Sequence, residues 1–281
     1  MKKFLGLIAL VVVLLVGVWV ALNLLGSDPD IIEIDSVETS SFKDFMDGTN
    51  SGTGSDSQGG DLADTDSPDE GANEDPLGAE DDSAIPTQFN LAVPFSPQAP
   101  TANWSLPYKE ACEETSIYMV AEYYKGNETE VLPAAQAEAE IQELVDFQLD
   151  LLGIYLDTTA AETSQVIDLF YGYGSRVVEN PTIEQIKAEI AAGRPVIVPS
   201  AGRQLPNPYF SGEGPLYHML VIKGYTEGTF ITNDPGTRNG ADFVYRQSDL
   251  MAAIGDWNNG DPANGKKVVI FTSLEGDAVV Q

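Results

Sequence analysis

Apolar positions along the 281-residue chain fall into three regimes. From Phe4 to Leu25 they are continuous, with Asn23 as the only polar interruption. From residue 27 to 87 they thin out among Gly, Ser, Asp and Glu, as in Ser51-Gly-Thr-Gly-Ser-Asp-Ser-Gln-Gly-Gly. From residue 88 onward they return with helix and strand periods. Phe89 to Phe95 predicts a short strand ended by Pro94. An amphipathic helix is predicted from Cys112 to about Lys125, with Ile117, Val120, Ala121 and Tyr124 inward and Gly126-Asn127 as the stop. Pro133 to Leu152 predicts a second helix, carrying Ile141, Leu144, Val145, Leu149 and Leu152 at helical spacing. A third is predicted over Thr159–Tyr171, then a strand at Arg176–Val178. Pro181 fits the first turn of a further helix that Gly193 closes. Strands are predicted at Val196–Val198, Leu216–Tyr225, Thr229–Thr232, Phe243–Tyr245 and Val268–Phe271, with Glu227-Gly228 as a hairpin turn and a short helix around Ser248–Ile254. Helices precede most of the strands, so the fold class is α+β, a helical part packed on an antiparallel sheet.

Charge sharpens the division. The formal net charge is -30, and residues 27–88 hold 18 Asp/Glu against one Lys. That stretch buries too little apolar surface to offset its ordering entropy and is expected to be disordered. A tether of about 60 residues spans roughly 40–45 Å, and like-charge repulsion lengthens it. The 22-residue run before it, at about 1.5 Å per residue, matches a hydrocarbon core of roughly 30 Å. Leucines crowd the place of a cleavage site, which argues for a retained transmembrane anchor rather than a signal peptide. Lys2 and Lys3 precede the span and acid follows it, so the N-terminus is expected in the cytoplasm and the remainder outside the cell membrane. The expected organisation is an anchor at 1–26, an acidic linker at 27–87 and a folded domain at 88–281. So acidic a chain excludes nucleic acid as a partner, because phosphate binding needs clustered Lys and Arg.

One cysteine and one histidine are present, Cys112 and His218. Cys112 stands at a predicted helix start, where unpaired N–H groups and the helix dipole stabilise a thiolate open to solvent. Glu113 and Glu114 suit that first turn but oppose a neighbouring thiolate. His218 lies on a predicted buried strand, and Asp234 follows in Asn233-Asp-Pro-Gly. The hairpin brings their two strands together. Singly, each has a plainer reading: a small buried hydrophobe, a core histidine and a turn former. Together they are the parts of a nucleophile, its base and the group that orients the base. The loop from Arg203 to Gly214 is placed to cover such a site, and Trp104, Trp257, Tyr209 and Phe210 are candidates for lining a cleft. One Cys and one His leave only carboxylates to complete a metal shell, so neither a metal nor another cofactor is expected.

Four blocks carry a resemblance over roughly Phe89 to Ser273. They are Val93-Pro-Phe-Ser-Pro-Gln-Ala-Pro, Glu110-Ala-Cys-Glu-Glu-Thr-Ser, Tyr217-His-Met-Leu-Val-Ile-Lys-Gly-Tyr and Ile231-Thr-Asn-Asp-Pro-Gly. In this order they resemble the peptidase C39-like family. The resemblance implies a papain-like cysteine peptidase fold, with Cys112 as nucleophile, His218 as general base and acid, and Asp234 orienting the imidazole. It also implies Gln98 as an oxyanion-hole side chain beside the Cys112 backbone N–H. No phosphate-binding Gly-rich Lys-Ser/Thr motif is present, so the expectation is a free-standing, membrane-tethered, monomeric enzyme acting on a peptide or protein. Two alternatives stay open: an acyltransferase or crosslinker using the same triad, and an inactive surface module that binds peptide or cell-wall polymer.

Overall fold

The structure, a computed structural model, describes residues 85–274. The anchor expected at 1–26 and nearly all of the linker expected at 27–87 lie outside the described residues. Among the described residues no helix is long and apolar enough to cross a membrane.

Among the described residues five helices pack with a seven-stranded antiparallel sheet in the order β2-β7-β3-β4-β5-β6, with β1 paired to β4 off this path, so the expected α+β class is what they adopt. The strands are β1 (Phe89–Asn90), β2 (Gly174–Glu179), β3 (Val196–Ala201), β4 (Tyr217–Tyr225), β5 (Thr229–Asn233), β6 (Phe243–Arg246) and β7 (Val268–Ser273). β4 is buried along its whole length, which is why it reads as a mostly apolar run, broken only by His218, Lys223 and Gly224, rather than an alternation. It pairs with β3 over Tyr217–Ile222 and with β5 from Val221 to Tyr225, across a bulge at Lys223. β1 meets β4 at Gly224 and Tyr225. β5 already occupies one edge there, so β1 takes the edge that β3 leaves. The strand expected over Phe89–Phe95 is accordingly cut short. Beyond Leu91 the chain turns away, and Phe95 instead forms an isolated parallel bridge with Val131.

The helices are α1 (Cys112–Tyr124), α2 (Ala134–Leu152), α3 (Ala160–Val166), α4 (Ile183–Ala191) and α5 (Gln247–Ala253). The reading of α1 as amphipathic is corrected: every residue from Cys112 to Glu122 is buried, on all sides. The helix lies between β4 and α2, so even its carboxylates are enclosed. On α2 the inward stripe is Ala137, Ile141, Leu144, Val145 and Gln148, whereas the predicted core residue Leu149 is exposed. Gln148 displaces it because the stripe advances by helical spacing and because Glu114 supplies a polar partner inside. Thr159 and Glu162 form a reciprocal cap on α3, which runs on through one π turn, Ile167–Tyr171, to Gly172 at φ 73°. Pro181 is not in the first turn of α4. Thr182 is the N-cap, bonded reciprocally with Gln185, and the proline sits just ahead of it.

Candidate active site

Cys112 is the first residue of α1, after a 3₁₀ turn at Tyr108–Glu110. Gln98 holds that turn. Its Nε2 donates to the carbonyls of Tyr108 (3.1 Å) and Lys109 (2.8 Å), while its backbone N–H donates to Pro235 O at 2.9 Å. One buried residue therefore ties the cysteine's approach to the turn that follows Asp234. Both Nε2 protons are engaged on carbonyls in this arrangement.

The sulfur is not the open thiolate expected from its position. Cys112 is 6% exposed, and its Sγ donates to Glu113 Oε2 at 3.0 Å. Burial pushes the thiol well up, and the Glu113 carboxylate pushes it further; the backbone N–H of Met219, donating to the sulfur, acts the other way. Glu113 is itself buried, and desolvation together with Glu114 raises it well above the usual carboxylate range. Glu114 is pushed up to about 7, chiefly by burial, although Gln148 Nε2 donates to its Oε1. Glu113 Oε1 and Glu114 Oε2 have no hydrogen-bond partner. The tension between two glutamates and a thiolate is resolved here in favour of the proton.

His218 and Asp234 meet as the hairpin suggested. His218 Nε2 lies 2.7 Å from Asp234 Oδ1, and both side chains are enclosed. β4 sets the position of His218, opposite Ser200 on β3, whose hydroxyl donates to the His218 carbonyl at 2.9 Å. The imidazole is held from two further sides. Phe210 meets it edge to face at 5.4 Å between ring centres, and Gly236 lies so close that an added Cβ would stand 2.9 Å from His218 Cε1.

Asp234 ends the β5 hairpin and accepts three further hydrogen bonds. The Gly236 N–H reaches Oδ1 at 3.0 Å, while Asn207 Nδ2 (2.9 Å) and the Tyr245 hydroxyl (2.6 Å) reach Oδ2. Burial would raise this carboxyl, but the adjacent His218 and these donors outweigh it and hold Asp234 below the usual range. Burial and Asp234 in turn push Tyr245 up.

Asn207, Tyr245 and Gly236 are absent from the residues singled out in the sequence. Asn207 sits in a proline-rich loop and Tyr245 on a strand whose neighbours carry no chemistry, so neither has a local signal. Gly236 was visible only as the glycine of a turn. The loop from Arg203 to Gly214, expected as a cover, is bound to the site through Asn207 and Phe210. Of the candidate cleft residues, Trp104 and Tyr209 are exposed, Trp257 packs on Tyr217 at 5.6 Å, and only Phe210 touches the imidazole. Among the described residues no group of three or more His, Cys, Asp or Glu is placed to hold a metal ion.

An enclosed imidazole–carboxylate pair on a sheet hairpin, facing a helix that opens with cysteine, defines the domain as one of papain-like kind. The chain belongs to the Peptidase_C39 like family, whose model matches residues 90–261. A crystal structure from Bacillus anthracis, described as a C39-like peptidase, is similar to it at 15% identity and a TM-score of 0.45, covering 68% of this chain and 99% of that one. No curated protein matches the chain.

Proposed function

We propose that this protein is a membrane-tethered, extracytoplasmic cysteine peptidase. The observation that carries the reading is the enclosed His218–Asp234 bond of 2.7 Å on a hairpin whose strand β4 packs against α1, the helix that Cys112 opens. With Nε2 engaged by Asp234, Nδ1 is the ring nitrogen left to serve the sulfur. His218 takes the Cys112 thiol proton as the sulfur attacks the peptide carbonyl and passes it to the leaving amine, while Asp234 fixes the imidazole tautomer and ring orientation. Water, deprotonated by His218, then attacks the acyl group, and His218 returns that proton to the departing sulfur. The Cys112 backbone N–H contributes to the oxyanion hole. Gln98 joins it by exchanging one of its two carbonyl bonds as the substrate enters. The tether rests on the apolar run Phe4–Leu25 and the acidic stretch after it.

Hydrolysis of a peptide library by the full chain tests the reading. Cys112→Ala and His218→Ala each abolish turnover, and Asp234→Asn reduces it less. Undiminished cleavage by Cys112→Ala removes the proposal. The burial and protonation of Cys112 favour one other reading, a peptide-binding module without turnover. Labelling of the native chain by a mechanism-based thiol probe, lost on denaturation, counts against that module.

A further inference from the structure

The loop at residues 203–214, between β3 and β4, reaches the His218–Asp234 pair and is fastened there by one side chain. The Gly202 N–H closes the loop's root by donating to Leu216 O at 3.1 Å. Beyond that root, among the described residues, the hydrogen bonds leaving the loop both come from Asn207 Nδ2. One goes to Asp234 Oδ2 at 2.9 Å and the other to the Tyr245 hydroxyl at 3.1 Å. Asn207 Oδ1 meanwhile accepts from the Tyr209 N–H at 3.0 Å, a local turn that directs the backbone toward Phe210. A carboxylate accepts and an N–H donates, so these partners fix which end of the amide is which. The loop's apolar holds are Leu205, buried near its start, and Tyr209, which leans on Phe243 while half exposed.

We propose that Asn207 is a positioning residue: by fastening the loop to Asp234 it keeps Phe210 against the His218–Asp234 bond and water away from it. This deepens the peptidase reading and rests on it for turnover, though not for the fastening itself. A Cβ built on Gly236 would stand 2.9 Å from both Phe210 Cε1 and His218 Cε1 and 3.2 Å from Asp234 Oδ1. The edge of the phenyl ring and both partners of the bond therefore converge on one point. Burial raises the Asp234 carboxyl, but His218 and the surrounding donors hold it below the ordinary value. As a carboxylate it only accepts, so the proton of the 2.7 Å bond sits on Nε2 whichever charge the ring carries. Water at that point would compete for Oδ1 and free the imidazole to turn. Without the two bonds from Asn207, Phe210 is held by a loop resting on Leu205 and an exposed Tyr209.

The chain has one histidine, so ¹⁵N-labelled histidine gives a single Nε2–H signal whose exchange with water follows the seal by NMR. In the full chain this proton should exchange slowly at neutral pH. Asn207→Ser keeps an oxygen for the Tyr209 N–H, because a serine hydroxyl caps the same turn, but it is too short to reach Asp234. Exchange should quicken at least about tenfold, as expected for losing a donor to a charged acceptor. A residue that merely shaped the turn would leave it unchanged. Phe210→Ala should quicken exchange similarly, and the double variant should stay within about twofold of Phe210→Ala alone. If Asn207→Ser loses its fold, Asn207→Asp, matched in size, keeps the oxygen and lacks the amide donors, with the same outcomes expected. An unprotected proton in wild type, wild-type exchange in the folded Asn207 variant, or multiplied effects in the double variant overturns the proposal. In a chain that cleaves peptides, kcat should fall about tenfold alongside, and undiminished kcat with quickened exchange overturns the positioning role. Quickened exchange in a chain that cleaves nothing upholds the fastening and removes the peptidase reading alone.

Discussion

Asp234 concentrates the polar chemistry of the site, and its two oxygens divide the work. Oδ1 faces His218, while Oδ2 is held by Asn207 and Tyr245. Tyr245→Phe deletes one donor to a charged acceptor, which costs about 1.5–3 kcal/mol by chemical denaturation. It also raises the Asp234 carboxyl, so the acid limb of the pH–rate profile moves to higher pH. Gly236→Ala acts through space. Its new Cβ would stand 2.9 Å from both His218 Cε1 and Phe210 Cε1, so the imidazole must shift. Turnover falls at least about tenfold, since misplacement of a catalytic group by an ångström costs that much or more, while circular dichroism stays native. The meeting of His218 and Asp234 was legible because the histidine is unique in the chain and the aspartate follows it across a hairpin. Asn207 and Tyr245 were not, because a donor to a buried carboxylate leaves no mark until distant segments are folded together.

Among the elements, α2 shows where periodicity was sufficient and where it failed. Ile141 and Leu144 are fully buried as their spacing required, and truncation of either to Ala leaves a cavity costing about 2–5 kcal/mol. Leu149→Ala, at an exposed position, changes stability by no more than about 0.5 kcal/mol. Urea titrations of the three variants separate the cases. The misreading arose because Leu149 is only one residue from a stripe position that Gln148 fills, and apolarity alone ranks Leu first. In α1 the reverse error occurs. Glu113, Glu114, Thr115 and Ser116 look like a wet face, yet the sheet and α2 enclose them. A sequence pattern reports which residues tolerate water, and it does not report that two layers close over a helix. Turn chemistry was better conveyed: the positive-φ glycines Gly126 and Gly193 end α1 and α4 where expected.

For the whole molecule, buried acids set the response to pH. Glu113 and Glu114 bind protons more tightly when folded than the usual carboxyl at 4.5. Between pH 4.5 and about 7 the native state therefore holds more protons than the unfolded chain, and stability rises as pH falls through that window. For Glu114 alone the gain is on the order of 3 kcal/mol. Asp234 has the opposite sign: its low folded value stabilises above the ordinary 3.8 and is lost on further acidification. The midpoint of denaturant unfolding should thus be higher at pH 5 than at pH 7.5, and Glu114→Gln should flatten the difference. The proposed tether has its own check. The full chain should fractionate with membranes and resist carbonate extraction, and deletion of residues 1–26 should release it.

The seclusion of the lone thiol has a consequence for durability. Peroxide and small disulfides react with an ionised, accessible sulfur, and Cys112 offers neither property at rest. The chain should survive oxidants without forming sulfenic acid or linking covalently to a second copy.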